Sequence, residues 1–186
     1  MDLWIDWKVR NMLKLFTMDF KNYDASYPHS KRPSARAIIY KDGKLAMVHS
    51  KAQNYVKFPG GGIEVDEDHP KALIREVLEE VGLSIIPETI EEFGLVTLMQ
   101  LSHIHKNTIF EQESFYYTCE VEDGIVDQNL DDYESEAMFT LEFISIEEAI
   151  ALNLNADHHG ADPVMIERET RILSLLANKN TINLGG

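Results

Sequence analysis

The sequence predicts an α/β protein in which helices lie on both sides of a mixed β-sheet, as an α/β/α sandwich. Apolar runs with the length and alternation of strands recur between residues 35 and 144. An amphipathic helical pattern interrupts them between residues 68 and 82, and a further helix is predicted at residues 162–176. This order of elements fits a mixed sheet that is sandwiched between helices.

The first 33 residues are predicted to form an extension that precedes a domain of residues 34–178. Apolar residues are frequent up to residue 16, and residues 22–33 are polar and contain proline. The extension is too apolar for a solvated tail. It is expected either to pack on the domain as an extra strand or helix, or to serve as a dimerisation arm or a lid over the substrate.

The domain begins with a predicted β-hairpin, whose strands at residues 35–40 and 45–49 are joined by an Asp-Gly turn. The other predicted strands are residues 55–58, 93–100, 115–121 and 139–144. A helix is expected to follow Ser145, because Ser145 and Glu148 have the spacing of a capping box. The last residues, 179–186, are polar and are expected to form a frayed tail.

Composition restricts the class of protein. The chain has 186 residues, enough for one hydrophobic core and few for two. Its net charge of −15 argues against a nucleic-acid partner, which would need Lys and Arg against the phosphates, but a bound metal ion would still allow nucleotides. The single cysteine, Cys119, excludes an intrachain disulfide and favours a cytoplasmic protein. No apolar run approaches the roughly 20 residues that span a bilayer, so no membrane association is expected.

A cluster of carboxylates on one face of the first helix is the main chemical signal. Glu76, Glu79 and Glu80 are related by i, i+3 and i+4, and Leu73 and Val77 lie on the neighbouring apolar stripe. Like charges at i, i+4 destabilise a helix by roughly 0.2–0.5 kcal/mol per pair. Mg²⁺ is usually held by one or two carboxylates together with substrate phosphates. The helix alone is therefore compatible with a metal site and also with a solvated acidic face.

The residues around this helix resemble the Nudix box, Gx5Ex7REUxEExGU, in which U is an aliphatic residue. Gly61 is followed after five residues by Glu67, and after seven more by the segment REVLEEVGL at residues 75–83. All seven fixed identities are present, and a chance match is on the order of 10⁻⁹ per starting position. The resemblance is sharp over about 25 residues and leaves residues 1–33 outside.

Nudix proteins hydrolyse a nucleoside diphosphate linked to another group, with Mg²⁺ or Mn²⁺, and the resemblance assigns the metal ligands. Glu76 and Glu80 would be the principal ligands, and Glu79 a further one. The backbone carbonyl of Gly60 would lie close to the metal, because glycine permits close backbone approach. Glu79 and Glu80 are also the expected catalytic residues of the box.

Three further residues of the box are expected to support the site. Arg75 and Glu67 would pair and fix the geometry of the loop and helix, since arginine offers a planar fork to a carboxylate. Gly61 would belong to the turn that approaches the metal. Asp68 is the expected N-cap of the helix, and Gly82 is placed to end it.

Many members of the family use one more acid from the loop before the last strand. That loop is residues 131–136 here, with Glu136 as the expected catalytic acid and Glu134 as the second choice. Glu111 and Glu113 are rival donors. The alternative is an acidic surface loop without a catalytic role.

The expected substrate-binding residues are Arg36, Phe58 and His158. His158 lies between the last two predicted helices, a region that can line the base or leaving-group pocket in Nudix enzymes, although a plain loop is the alternative there.

The sequence thus predicts metal-dependent hydrolysis of a phosphoanhydride bond in a nucleotide, with a nucleoside triphosphate as the default substrate. A homodimer is possible. The alternatives are a nucleotide-sensing module on the same fold that does not cleave its ligand, and an isomerase of prenyl diphosphates, which would need a catalytic cysteine. Cys119 is the one candidate for that role, and a small core residue is its ordinary interpretation.

Overall fold

The computed structural model describes residues 12–183. The strands are β1 (Lys14–Asp19), β2 (His29–Lys31), β3 (Ser34–Ile38), β4 (Tyr40–Lys41), β5 (Lys44–Ser50), β6 (Tyr55–Lys57), β7 (Gly60–Gly62), β8 (Glu91–Leu101), β9 (Ile109–Thr118) and β10 (Phe139–Ile144). The helices are α1 (His69–Val81), α2 (Asp132–Glu136), α3 (Ile146–Asn155) and α4 (Pro163–Asn183). No helix in this part of the chain is long and apolar enough to cross a membrane.

The strands form two sheets. The larger sheet has the order β1-β8-β9-β3-β7, with β2 pairing β9, and it mixes parallel and antiparallel pairs. The smaller sheet has the order β10-β5-β4, with β6 pairing β5. The predicted α/β class with a mixed sheet is confirmed, and the division of the strands between two sheets is a feature that the sequence did not reveal.

The predicted hairpin is divided between these sheets. Asp42 and Gly43 form the turn, both with positive φ, as the Asp-Gly pattern predicts. Only β4 pairs with β5 across this turn. Strand β3 instead lies between β9 and β7 in the larger sheet, so the chain changes sheets at Ile39.

Helix α1 has the predicted ends. The side chain of Asp68 accepts a hydrogen bond from the backbone N–H of Lys71, and Gly82 closes the helix in the left-handed conformation with φ of 68°. Leu73, Val77 and Val81 are fully buried, and the neighbouring face of the helix, which carries Glu76 and Glu80, is directed toward the glycine strand β7.

Helices cover the core on more than one side. One buried cluster joins side chains of α1 to β3 and β9, and a second joins α3 and α4 to β5 and β8. Helix α4 runs to Asn183, so residues 179–183, which the sequence assigned to a tail, continue the helix.

The described part of the N-terminal extension supplies two strands to the larger sheet. Strand β1 pairs in parallel with β8, and β2 pairs in parallel with β9. The side chain of Leu15 fills the space beside Gly94, where a Cβ atom would lie 2.5 Å from its Cγ. The apolar residues of the extension that precede residue 12 are Trp4, Ile5, Trp7 and Val9. They lie outside the described residues, so the predicted packing of this segment is not addressed by the structure.

Candidate active site

A cavity of about 480 Å³ lies where the glycine strand β7 faces α1. Its lining combines cationic, acidic and polar side chains with a few apolar ones. The lining includes Ser34, Arg36, Lys57, Glu76, Glu80, Leu98, Gln100, Phe110, Gln112, Tyr133, Glu134, Met165 and Arg168.

Helix α1 brings two of its glutamates to this cavity. Glu80 is only 1% exposed, and its Oε2 accepts a hydrogen bond from the N–H of Gly60 at 2.9 Å. Glu76 lies one turn earlier and packs directly against the glycine strand, since a Cβ atom on Gly61 would lie 2.2 Å from Glu76 Oε2. A side chain at position 61 would therefore force the Glu76 carboxylate out of this position. Burial raises the pKa of Glu76, although the neighbouring Arg75 opposes the rise.

Arg75 ties the loop before α1 to the helix, as predicted from the box. Its Nε and Nη2 donate to the two oxygens of Glu67 at 2.9 and 2.8 Å, a two-pronged contact. Its Nη1 donates to Glu76 at 2.8 Å and to Glu79 at 3.4 Å, and Nη2 reaches the carbonyl of Gly62. The hydrogen bonds from Arg75 lower the pKa of Glu67.

Glu79 is placed differently from Glu76 and Glu80. Its side chain is 40% exposed and does not line the cavity, and its ion-pair partner is Arg75. The structure therefore brings two of the three predicted metal-binding carboxylates into the cavity and leaves the third at its edge.

Two buried cations face these carboxylates. Lys57, at the end of β6, makes an ion pair with Glu80 Oε1, and its Nζ lies 4.5 Å from the centre of the Phe139 ring. Arg36 Nη1 donates to the carbonyl of Gly60 at 2.6 Å, while the buried Nε of Arg36 has no partner. The Gly60 carbonyl, which was expected close to a metal, is thus held by Arg36.

The opposite wall of the cavity rests on a buried ion pair in α4. Arg168 and Glu169 are 2% and 0% exposed, and Arg168 Nη2 lies 2.9 Å from Glu169 Oε1. Arg168 Nη1 also donates to the amide oxygen of Gln112 at 2.7 Å. Because arginine has only donors, this contact turns the amide N–H₂ of Gln112 away from Arg168. On the same wall, Gln112 is paired across the strands with Leu98, and Gln100 with Phe110.

The other predicted substrate-binding side chains lie away from the cavity. Phe58 is 0% exposed, because its ring packs edge to face against Tyr116 within the core. The two ring nitrogens of His158 are each 2.9 Å from a backbone carbonyl, those of Asn54 and Asn153, and the ring borders a separate groove beside α4. Of the three predicted residues, only Arg36 lines the cavity.

The additional acid is also placed differently from the prediction. Residues 132–136 form a short helix instead of a loop, which turns Glu134 toward the cavity and leaves Glu136 exposed and outside its lining. Burial raises the pKa of Glu134, and the charge of Glu80 adds to the rise. The rivals do not reach the cavity either: Glu111 pairs with His29 at 2.6 Å, and neither it nor Glu113 lines the cavity.

The donor set of the cavity fits a hard divalent cation bound by few protein ligands. Carboxylate oxygens of Glu76 and Glu80 lie on successive turns of one helix face and border a single cavity. Within residues 12–183, no group of three or more His, Cys, Asp or Glu side chains is already gathered around one point. Two carboxylates fit Mg²⁺, which typically completes its shell with waters and substrate phosphates.

Four residues of this site escaped the sequence interpretation, namely Lys57, Gln112, Arg168 and Glu169. A usable signal existed for Glu169, since it lies three residues after Ile166 and three before Ile172, on the apolar stripe of its helix. Strand alternation places Lys57 on the same side as the buried Tyr55. No local pattern marks Gln112.

Comparison with known proteins places residues 30–167 in the NUDIX domain. A stretch of 64 residues is 41% identical to an RNA pyrophosphohydrolase of Marinomonas sp. (strain MWYL1) and covers 34% of this chain and 38% of that protein. A stretch of 74 residues is 32% identical to a CTP pyrophosphohydrolase of Escherichia coli (strain K12) and covers 37% of this chain and 55% of that protein. These matches span about two fifths and about half of the relatives' lengths.

Solved structures share the fold. A NUDIX hydrolase from Nitrosomonas europaea superposes with a TM-score of 0.51 at 23% identity, over 74% of this chain and 85% of that one. A MutT NUDIX hydrolase from Burkholderia pseudomallei gives a TM-score of 0.50 at 17% identity, over 75% and 98% of the two chains. The fold predicted from the box is confirmed by these likenesses.

Proposed function

This chain belongs to the Nudix family, and we propose that it is a metal-dependent pyrophosphohydrolase that cleaves a phosphoanhydride bond of a nucleotide. The observation that carries the proposal is the placement of Glu76 and Glu80, which face the glycine strand β7 from successive turns of α1 inside one cavity. The two pyrophosphohydrolases with matching stretches support the same chemistry.

Glu76 and Glu80 would hold Mg²⁺ or Mn²⁺ in this proposal. The bound ion would supply positive charge to the diphosphate oxygens and would favour ionisation of a coordinated water. Two buried cations of the cavity, Lys57 and Arg36, would orient the same oxygens. Arg36 is suited to this task because its buried Nε has no partner within the protein.

Glu134 is the proposed general base. It lines the same cavity as Glu76 and Glu80, and its raised pKa lies nearer to neutrality than that of an ordinary glutamate. It would take a proton from the water that attacks a phosphorus atom while the bond from that phosphorus to the bridging oxygen breaks. The leaving phosphate group would carry away the bonding electrons as an anion.

The wall formed by β8, β9 and α4 suits a nucleobase. Phe110 offers a ring for stacking, Leu98 and Met165 add apolar surface, and the amide N–H₂ of Gln112 is free of Arg168. A base with a carbonyl or ring-nitrogen acceptor matches this donor. A nucleoside triphosphate is the first substrate to test, because one relative is named a CTP pyrophosphohydrolase. RNA is less suited to a chain with a net charge of −15.

Two alternatives fit the cavity less well. A nucleotide sensor without catalysis does not need the Glu76, Glu80 and Glu134 carboxylates around one cavity. A prenyl-diphosphate isomerase would need a reactive cysteine, whereas Cys119 is 7% exposed, does not line the cavity, and has its pKa raised to about 12 by burial.

The test is a substrate panel with Mg²⁺ or Mn²⁺, followed by phosphate-release and chromatographic assays. The panel contains the nucleoside triphosphates, RNA with a 5′-triphosphate, ADP-ribose, a dinucleoside polyphosphate, a prenyl diphosphate and inorganic tripolyphosphate. We expect metal-dependent cleavage of a nucleoside triphosphate, and weaker activity on tripolyphosphate because it lacks a base.

Glu80→Gln should lower kcat by about a thousandfold, because a metal ligand contributes several kcal/mol to the transition state. Glu120→Gln is the matched control, since it removes one negative charge at an exposed position outside the cavity. Near-normal hydrolysis by Glu80→Gln would contradict the proposed site. Tight nucleotide binding without any turnover would favour the sensor.

A further inference from the structure

Lys57 is the cation that the structure places against the buried carboxylate of Glu80. The Lys57 residue is 9% exposed, its Nζ contacts Glu80 Oε1, and the ring of Phe139 covers it at 4.5 Å. The second oxygen of Glu80 accepts the N–H of Gly60. Glu80 is thus balanced by Lys57 within the protein, because an unpaired buried carboxylate would be strongly unfavourable.

This pairing conflicts with the role of Glu80 as a metal ligand. A divalent cation at Glu80 would lie near the ammonium group of Lys57, and two positive charges at short range in a partly desolvated site repel each other. Arg75 creates a weaker conflict, because its fork is directed to Glu67, and Glu76 is the one cavity-lining carboxylate to which it donates.

The diphosphate of the substrate can remove this conflict. Lys57 lines the same cavity as Glu76, Glu80 and Arg36, so a bound diphosphate would meet its ammonium group there. An ammonium has three N–H donors and a flexible stem, which allows it to exchange a carboxylate oxygen for a phosphate oxygen. Arg36 lacks this freedom, since the carbonyls of Gly60 and Phe58 hold its Nη1.

We propose that Lys57 is an internal counter-cation of Glu80 that competes with the divalent metal ion, and that its ammonium passes to a phosphate oxygen when a diphosphate binds. The inference rests on the proposed function, in which Glu80 holds the metal. Two consequences follow from linkage: the metal binds weakly to the protein alone, and metal and diphosphate strengthen each other's binding.

The first test is a calorimetric titration with Mn²⁺ alone at pH 8. Lys57→Met keeps an apolar side chain of similar length against Phe139 and removes the charge. We expect it to bind Mn²⁺ about tenfold more tightly than the wild type, because a nearby positive charge is gone. Lys41→Met is the matched control, since Lys41 pairs with the exposed Asp123 at 3.2 Å outside the cavity, and its Mn²⁺ affinity should stay within about twofold of wild type.

The second test repeats the titrations with methylenediphosphonate, a diphosphate analogue that cannot be hydrolysed. In the wild type this ligand should raise the Mn²⁺ affinity by a larger factor than in Lys57→Met, because only the wild type has an ammonium to transfer. Equal or weaker Mn²⁺ binding by Lys57→Met, or equal enhancement in both proteins, would overturn the proposal.

A measurement on the wild type covers the case in which Lys57→Met does not fold. The Cε–Hε resonance of Lys57, assigned with Lys57→Arg, should shift on saturation with Mg²⁺ and again on addition of methylenediphosphonate. A resonance that stays in place with Mg²⁺ overturns the inference. Glu80→Gln distinguishes failure of the proposed function from failure of this inference. Unchanged Mn²⁺ binding by Glu80→Gln would contradict the metal site itself. Lost Mn²⁺ binding by Glu80→Gln, together with wild-type affinity in Lys57→Met, would contradict only the role of Lys57.

Discussion

Two charged clusters border the cavity, and they balance their charges in opposite ways. The α4 cluster consists of Arg168 and Glu169 together with the polar groups that they bind. Glu169 accepts hydrogen bonds from Arg168, from the hydroxyl of Tyr116 at 3.0 Å and from the N–H of Phe58 at 2.8 Å. Burial alone would raise the pKa of Glu169, but the charges of Arg168 and Arg36 and these hydrogen bonds lower it overall.

The α1 cluster consists of four glutamates, Glu67, Glu76, Glu79 and Glu80, with Arg75 and Lys57 as their cationic partners. Both oxygens of Glu67 accept from the planar fork of Arg75, whereas Glu80 divides its two oxygens between the flexible Lys57 and the N–H of Gly60. The pKa of Glu76 is raised by burial, so its ionised form is unfavourable in the folded protein.

The contrast separates structural from chemical roles. Glu169 accepts from a buried arginine, a tyrosine hydroxyl and a main-chain N–H, so it can position these groups but has little left for a ligand. The carboxylates of α1 outnumber their cationic partners, and the proposed metal ion would compensate this excess of negative charge. The predictions below test this division, beginning with the largest effect.

Glu169→Ala should lower the free energy of unfolding by about 3–5 kcal/mol, because removing one partner leaves the buried Arg168 charge without compensation. The N–H of Phe58 and the hydroxyl of Tyr116 lose their acceptor as well. The free energy of unfolding from urea titrations monitored by circular dichroism measures the loss.

Glu167→Ala is the control on the same helix. Its carboxylate is 55% exposed and pairs with Arg171 at 3.6 Å, so its loss should cost at most about 0.5 kcal/mol. Equal losses of stability from the two substitutions would mean that the α4 cluster stabilises the fold no more than a surface ion pair does. The structural role assigned to Arg168 and Glu169 would then be wrong.

Glu134→Gln should lower kcat by about a hundredfold, as expected for the loss of a general base. Glutamine keeps the capping contact with the N–H of Asp131, so the short helix α2 should persist. Glu136→Gln, two residues along the same helix and outside the cavity, should leave kcat within about twofold. A larger loss in Glu136→Gln than in Glu134→Gln would restore the choice made from the sequence.

The pH profile gives a second readout for Glu134. A base works in its ionised form, so kcat of the wild type should fall as the pH drops through the raised pKa of Glu134. This acidic limb should lie above the usual value of 4.5 and should disappear in Glu134→Gln. An unchanged limb in the variant would assign the titration to another group.

Features that depend on neighbours in sequence were predictable. The caps of α1 at Asp68 and Gly82 and the capping box at Ser145 and Glu148 follow from spacing, because the groups involved are a few residues apart. The pairing of Arg75 with Glu67 follows from the resemblance to the Nudix box. The box also identified the family, since seven fixed identities at set spacing rarely occur by chance.

Features that depend on tertiary contacts were not predictable. Glu169 meets the Phe58 N–H across 111 positions of sequence, and no local pattern joins them. The sequence predicts a loop at residues 131–136, with Glu136 as the first choice of acid and Glu134 as the second. Once they form a helix, two residues differ by about 200° around its axis, so Glu134 and Glu136 face nearly opposite sides.

Glu67→Gln tests the two-pronged contact between Glu67 and Arg75, and its effect on the free energy of unfolding should be the smallest of those predicted, the controls aside. We expect a loss of about 1 kcal/mol at pH 7, because glutamine cannot match the charged, two-pronged contact with Arg75. The pKa of Glu67 is lowered in the folded protein, so its stabilisation is fully present above the ordinary value of 4.5 and is lost as the pH falls through the lowered value. The difference between Glu67→Gln and wild type in urea titrations without metal should therefore shrink below pH 4.5 and be largest at neutral pH. Glu64→Gln, an exposed change in the same loop, should cost at most about 0.5 kcal/mol. A difference that is independent of pH would show that Glu67 stabilises the protein through packing and not through its charge. The ion pairs of Arg75 with Glu76 and Glu79 would then matter more than its contact with Glu67.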